Sequence, residues 1–405
     1  MSIPKSPLPA GATTPALDWI VDAAVRPSML ALPASRIGEV SVLGFGDPDV
    51  IPLWYGEGDQ PTPAFINTAA KAALDAGQTF YTYKRGIPEL RAAIAEYQTA
   101  LFAQPTSVER VVVTTSGMSG IMLTCQALID PGDNVLVVSP VWPNIGAAVE
   151  IMGGEPRPVT LAHHQGGTWS LDLDRLIAAA DRRTKAIFVN SPSNPTGWVM
   201  SPAEAEALLA FARQRGLYII SDEVYNRVVY DRPAASSLLD FALPEDRVVV
   251  VNSFSKAWAM TGWRMGWLTV PAELGPVLDK LVEFNFSGVP TFLQYGAVAA
   301  IREGEPFIRA TAERYHRNRD ILIDGLRRFG RVTVARPDGA FYAFIAVDGM
   351  TDSLAYAKEI LARTRVGLAP GSAFGPGGEG HLRICFASAP DRLTTALERL
   401  APMLS

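Results

Sequence analysis

The stretch V-N-S-F-S-K-A-W-A-M-T-G-W-R-M-G-W, residues 251–267, sets Lys256 among the hydroxyls of Ser253, Ser255 and Thr261, with Arg264 close behind. The apolar run RVVVV before it reads as a buried strand. A lysine delivered into the interior loses solvation, its pKa falls, and the free amine becomes a nucleophile able to condense with an aldehyde. Hydroxyls beside an arginine suit a phosphate. One ligand that carries both groups is pyridoxal 5'-phosphate (PLP). Taken alone, the segment reads equally as a surface lysine beside a tight turn.

Three further segments bear on that choice. The run L-Y-I-I, residues 217–220, ends in Ser221-Asp222-Glu223-Val224-Tyr225. In an α/β sheet, ligands bind at the carboxyl ends of strands. There Asp222 can pair with a pyridine nitrogen and keep it protonated, which makes the ring an electron sink. Tyr225 can donate to the ring's phenolic oxygen. A helix cap for Asp222 and core packing for Tyr225 are the plainer alternatives. The run K-A-I-F-V-N-S-P-S-N-P-T-G, residues 185–197, reads as a strand and a turn. The prolines around Asn194 hold its side chain in place. The run R-V-V-V-T-T-S-G-M-S-G-I-M-L-T-C-Q-A-L-I passes from a strand through Ser116, Gly117 and Met118 into an apolar helix. Small residues at a helix start leave N–H groups free for a phosphate.

These residues need a scaffold that brings strand ends together. Strand-like runs begin near residues 111, 134, 186, 217, 247 and 266, with helix-like runs between them. One helix runs from Pro202 to Arg215, with Ser201 as its cap. Such alternation predicts an α/β fold with a mostly parallel sheet and helices on both faces. Beyond residue 290 the pattern changes to amphipathic helices (Ala312 to Phe329, Asp352 to Thr364, Asp391 to Leu404) and alternating strands, F-Y-A-F-I-A-V and H-L-R-I-C-F-A. That predicts a smaller α+β domain. Residues 1–17, rich in Pro, Ala and Gly, read as a flexible arm.

The segments Y-G-E-G-D, Y-T-Y-K-R-G-I-P-E-L-R, T-S-G-M, P-V-W, N-S-P-S-N-P-T-G, S-D-E-V-Y, S-F-S-K-A-W-A-M-T-G-W-R and H-L-R-I-C-F occur in that order. As an ordered set they resemble the class I/II aminotransferases of PLP fold type I, in the style of the aspartate aminotransferase-like group. The resemblance spans roughly residues 35 to 395. It implies a large PLP-binding domain over residues 61–290. A small domain would combine residues 18–60 with residues 291–405. By the same resemblance, Lys256 is the Schiff-base lysine and proton shuttle, and Asp222 the partner of the ring nitrogen. Asn194 and Tyr225 contact the phenolic oxygen, Trp142 stacks on the ring, and Ser116, Gly117, Met118, Ser253 and Arg264 hold the phosphate. Arg383 takes the substrate α-carboxylate, Asn194 and the Gly56 backbone line the substrate pocket, and Tyr81 reaches the phosphate of a partner subunit in a homodimer.

The implied reaction is transamination from an L-amino acid to a 2-oxo acid. A carbon–sulfur β-lyase, another PLP reaction, or a non-catalytic ligand-binding member are the alternatives, because one fold hosts many reactions. Three departures bear on the substrate. Gly58 stands where proline is common, and Met118 where some relatives place a lysine for a second carboxylate. Glu283-Phe284-Asn285-Phe286-Ser287 stands where others carry an arginine. A distal carboxylate would be costly to bury without a partner. Neutral side chains, aromatic or aliphatic, are therefore expected first, with Met118, Phe284 or Phe286 against them; an inward Glu283 would instead favour a cationic side chain, ranked next, and aspartate ranks last. Lys84 and Arg85 remain as substitute cations, or as a solvated loop.

Composition narrows the class. The chain has 405 residues, 48% hydrophobic and 19% charged, which suits a folded soluble protein with a sizeable core. A net charge of -5 leaves no basic footprint for nucleic acid. No apolar run is long enough for a membrane span, and the start lacks the core of a signal peptide. Cys125 and Cys385 sit in apolar runs and read as buried free thiols, consistent with a cytoplasmic location. His163-His164 has no partners at metal-ligand spacing, so no metal is expected. The run G-F-G-D-P-D at 44–49 lacks the third glycine and the strand–helix context of a dinucleotide fingerprint.

Overall fold

The computed structural model describes residues 25–405. The expected arm and the first residues of the 18–60 segment lie outside them. Contacts divide the chain into two units, residues 1–34 and 35–405. In the first, Pro27–Leu30 forms a single helical turn. Among the described residues, all the sheets lie in the second.

The central sheet has seven strands: β1 (Val111–Thr114), β2 (Asn134–Ser139), β3 (Glu155–Thr160), β4 (Thr184–Asn190), β5 (Tyr218–Asp222), β6 (Val248–Ser253) and β7 (Gly266–Thr269). Their spatial order is β1-β7-β6-β5-β4-β2-β3. All run parallel except β7, which is antiparallel to both neighbours. Both faces are covered, as a parallel sheet requires. Leu136, Val138, Ile187, Val189, Ile219, Val248 and Val250 pack on one face with helix Pro202–Arg215. Their chain neighbours Val135, Val137, Ala186, Phe188, Ile220, Val249 and Val251 pack on the other with helix Gly117–Leu128. The period of two along each strand puts adjacent residues on opposite faces. Ser201 caps its helix as expected, in a reciprocal pair with Glu204.

A second, antiparallel sheet follows, from β8 (Val332–Thr333), β9 (Tyr342–Val347), β10 (Ala369–Pro370) and β11 (His381–Cys385), in the order β8-β9-β11-β10. Its core is closed by helices Glu305–Leu326, Ser353–Thr364 and Pro390–Leu404. The segment Ile51–Pro52 pairs in parallel with Val366–Gly367, so the chain near residue 50 lies beside this sheet. Helix Thr291–Glu303 packs on Ala64–Asp75 and Pro88–Leu101, in the cluster that also holds β1 and β7 residues. Among the described residues no helix is long and apolar enough to cross a membrane.

Candidate active site

Five parallel strands present their carboxyl ends to one cavity of about 390 Å³. β1 leads to Ser116 and Gly117, and β2 to Trp142. β4 ends in Asn190, with Asn194 in the turn beyond, and β5 ends in Asp222. β6 ends in Ser253, and the short helix Phe254–Ala257 carries Lys256. β7 runs the other way, so its start lies at the same end, with Arg264 just ahead of it. Gly56 and Arg383 from β11 complete the lining.

Lys256 Nζ donates to the Gly56 carbonyl oxygen at 2.6 Å and sits 5.7 Å from the centre of the Tyr225 ring. Burial pushes its ammonium down to about 8, helped by the charges of Arg383 and Arg264 and opposed by Cys385 and Glu57. Asp222 is fully enclosed, and burial pushes its carboxyl up to about 7. Against that stand only one long backbone bond, Val224 N–H to Oδ1 at 3.3 Å, and the Lys256 charge. Asn190 ties this end together. Its Nδ2 donates to the Asp222 carbonyl at 2.9 Å, and its Oδ1 accepts from the Asn194 N–H at 2.7 Å.

Arg383 is 2% exposed and has no carboxylate partner among the described residues. Nη1 donates to Asn194 Oδ1 at 2.8 Å, and Nη2 donates to the Trp54 carbonyl. Nε is buried without a partner. The guanidinium carbon lies 4.5 Å from the Tyr342 ring centre and 4.9 Å from that of Phe374. A buried guanidinium with an unused donor suits an incoming carboxylate.

At the far end, Ser253 Oγ lies 2.9 Å from Ser255 Oγ, and Ser116 Oγ caps helix Gly117–Leu128 by accepting from Ser119 N–H at 2.9 Å. Arg264 holds a left-handed backbone, φ 53°, which a residue with a side chain keeps only where its surroundings impose it. No carboxylate among the described residues pairs with Arg264, so its charge is available to an anion.

The cavity thus gathers Gly56, Gly117, Met118, Trp142, Asn194, Asp222, Tyr225, Ser253, Lys256, Arg264 and Arg383. Ser116 stands one residue behind the lining. Tyr81 is not brought in: it is 96% exposed and borders a separate surface hollow with Phe80, Tyr83 and Tyr295. Phe284 and Phe286 are also absent from the lining, contrary to expectation. Phe284 is exposed, and Phe286 packs against core clusters instead. Lys84 pairs with Glu283 at 2.5 Å and Arg85 with Asp279 at 3.1 Å, so both substitute cations are engaged. Sequence reasoning missed Asn190 and Tyr342. Tyr342 is fully buried, with its hydroxyl 2.6 Å from that of Tyr225.

The donor set fits PLP. A buried carboxylate that lacks a cationic partner awaits a protonated ring nitrogen. The amine has lost solvation, and the anion seat holds two serines, a helix start and an arginine that donates to the Thr261 carbonyl at 2.7 Å but has no carboxylate partner among the described residues. Nothing larger than hydrogen fits at Gly266, where an added Cβ would stand 2.6 Å from the Asn252 carbonyl and 2.7 Å from the Gly117 nitrogen.

A doubly covered parallel sheet whose strand ends meet at a half-buried lysine with a desolvated amine defines an enzyme of PLP fold type I. The comparisons narrow this further. Residues 48–400 match the model for aminotransferase class I and II. An aspartate aminotransferase of Pyrococcus horikoshii is 32% identical over 93% of this chain and 96% of its own length. An aromatic-amino-acid aminotransferase 2 of Thermococcus litoralis is 34% identical over 91% of this chain and 95% of its own. A solved Thermus thermophilus aspartate aminotransferase, a single mutant, superposes with a TM-score of 0.88 at 33% identity, covering 94% of this chain and 99% of that one. The chain belongs to the class I and II aminotransferases, and it is a PLP-dependent transaminase.

Proposed function

We propose that the enzyme moves an amino group from a neutral L-amino acid, aromatic or aliphatic, to a 2-oxo acid. The observation that carries this is the set of cations at the cavity. Ile37 and Ile121 add apolar lining beside the neutral Ser35, Tyr55 and Asn144, and among the described residues the only cations at the cavity are Lys256, Arg264 and Arg383. Each of those three has a task, which leaves no cation in this subunit for a second substrate carboxylate. The names of the relatives leave the carbon–sulfur lyase alternative without support.

Bound PLP supplies the electron sink for charge developing at the substrate α-carbon. The chain's residues do the rest. Asp222 fixes the ring nitrogen in its protonated form. Trp142 offers a flat face, Asn194 and Tyr225 address the phenolic oxygen, and Ser116, Gly117, Met118, Ser253, Ser255 and Arg264 seat the phosphate. Arg383 grips the α-carboxylate, which sets the orientation of the bond to be broken. Lys256, with its pKa brought near neutrality, takes a proton from the α-carbon and gives one back. Gly56 lends its carbonyl to the lysine.

Tyr81, exposed in the single subunit, supports a homodimer in which it completes the partner's phosphate seat. Two buried thiols, unpaired with each other, support a cytoplasmic setting.

The test is kcat/KM for phenylalanine, leucine, alanine, lysine and aspartate with one common oxo acid. Phenylalanine or leucine should lead. Aspartate ahead by tenfold, roughly 1.4 kcal/mol of transition-state preference, would overturn the substrate reading.

A further inference from the structure

β9 runs antiparallel to β11, with Tyr342 opposite Cys385 and Phe344 opposite Arg383. Residues two apart share a face, so Tyr342 and Arg383 meet diagonally on the same side of the sheet. Three contacts converge on Tyr342. Its hydroxyl is 2.6 Å from that of Tyr225. Its ring lies 4.5 Å from the Arg383 guanidinium carbon. Position 56 has no room for a side chain, because an added Cβ there would overlap the Tyr342 hydroxyl. Gly56 is also the residue whose carbonyl receives Lys256 Nζ. One buried side chain therefore touches the tyrosine, the arginine and the backbone stop of the lysine.

A phenol has one proton to give. If Tyr225 gave its proton to Tyr342, it would have none for a ligand oxygen. Among the described residues the Tyr342 hydroxyl has no hydrogen-bond partner but Tyr225. We propose that Tyr342 is a positioning residue: it donates to the Tyr225 hydroxyl, freeing Tyr225 to donate to the ligand's phenolic oxygen, while its ring holds the Arg383 guanidinium in place. Donors in series polarise one another, so the second hydroxyl strengthens the first. The cation over the ring adds an attraction that is largest where water is excluded. The inference rests on the PLP seat proposed above.

The experiment loads the parent, Tyr342→Phe, Tyr225→Phe and the double variant with PLP, and titrates the bound chromophore's absorbance against pH without amino acid. Weakening a donor to the phenolic oxygen leaves more negative charge on the conjugated system, which then holds its proton more tightly. Tyr342→Phe should raise the midpoint by ~0.3–1 pH unit, less than Tyr225→Phe does. In the Tyr225→Phe background it should add nothing, because the relay is already cut. A midpoint within ~0.1 unit of the parent, or additive shifts in the double variant, overturns the relay.

A second arm measures the dissociation constant of 3-phenylpropionate, a carboxylate without an amine. Tyr342→Phe keeps the ring and should stay within about twofold of the parent, whereas Tyr342→Leu should weaken binding about fivefold or more. Equal affinity in Tyr342→Leu removes the role toward Arg383. If that variant does not fold, the titration of Tyr342→Phe still decides the relay. If no chromophore forms in the parent, the PLP seat itself is wrong, and the proposal falls with it.

Discussion

Lys256 and Asp222 share one cavity with their pKa values displaced toward each other, the ammonium down to about 8 and the carboxyl up to about 7. Burial drives both shifts, and each charge is costly without a ligand. For Asp222 the folded protein holds the proton more tightly than the unfolded chain does. Its burial therefore costs nothing at pH values below the ordinary aspartate range. The cost grows as pH rises toward about 7 and is complete above it. Asp222→Asn should raise the thermal midpoint of the ligand-free protein by ~1–3 °C at pH 8, and the gain should fade toward pH 4. The same variant should lose at least ~100-fold in kcat/KM, since nothing then holds the ring nitrogen protonated. A loss of stability at pH 8, or near-normal turnover, would contradict the role given to this carboxylate. For Lys256 the amine is the reactive form, so the rate of PLP capture should rise with pH through about 8, read by stopped-flow absorbance. A midpoint near that of an ordinary lysine would mean the amine is solvated. Borohydride reduction should then fix the label on Lys256. Both residues were legible in the sequence because each follows an unbroken apolar run, so its place at a strand end could be read locally. Tyr342 was not. Its meaning depends on pairing with a strand some forty residues away, and F-Y-A-F-I-A-V alone shows only alternation.

At the scale of elements, six of the seven central strands announce themselves as apolar runs. The seventh, β3, reads E-P-R-P-V-T and was missed. It pairs only with β2 at the sheet edge, where prolines and charges are tolerated and even protective. The direction of β7 was not legible either. The chain between β6 and β7 holds only a short helix and a turn, so no full crossover helix intervenes and the antiparallel return is allowed. That return has a consequence at the site, for it brings Gly266 against the start of helix Gly117–Leu128. An added Cβ would meet the Asn252 carbonyl at 2.6 Å, the Gly117 nitrogen at 2.7 Å and the Ser116 carbonyl carbon at 2.9 Å, all backbone atoms. Backbone cannot swing aside as a flexible side chain can, so the helix start must shift. Gly266→Ala should weaken PLP retention about tenfold or more, by equilibrium dialysis, and lower the thermal midpoint as well. Retention equal to the parent's would show that the phosphate seat does not depend on how closely β7 approaches that helix.

For the whole molecule the decisive surface is the one around Tyr81. Phe80, Tyr81 and Tyr83 stand exposed in succession, bordering a hollow with Tyr295. Contiguous exposed aromatics mark an interaction surface. Exposure of this kind is not legible in the residues Y-T-Y-K-R-G themselves, where only the family resemblance singled out Tyr81. If two copies pair about a twofold axis, each subunit lends Tyr81 to the other's cavity, since the same patch serves both. The protein should then sediment at about twice its 43.6 kDa chain mass. A mixing experiment separates a shared site from mere association. Tyr81→Ala alone leaves both sites of a dimer without the partner's hydroxyl, and Lys256→Ala alone leaves both without the amine. In a mixed dimer the defects fall together in one site and spare the other. That spared site combines Lys256 and Arg264 of the first copy with Tyr81 of the second. Random exchange of equal amounts puts half the dimers in this mixed form with one good site each, so activity should recover to about a quarter of the parent's. Recovery is the signature of Tyr81 acting across the interface. Were Tyr81 to serve its own subunit, every mixed dimer would hold two defective sites, and the mixture would stay as inactive as its components.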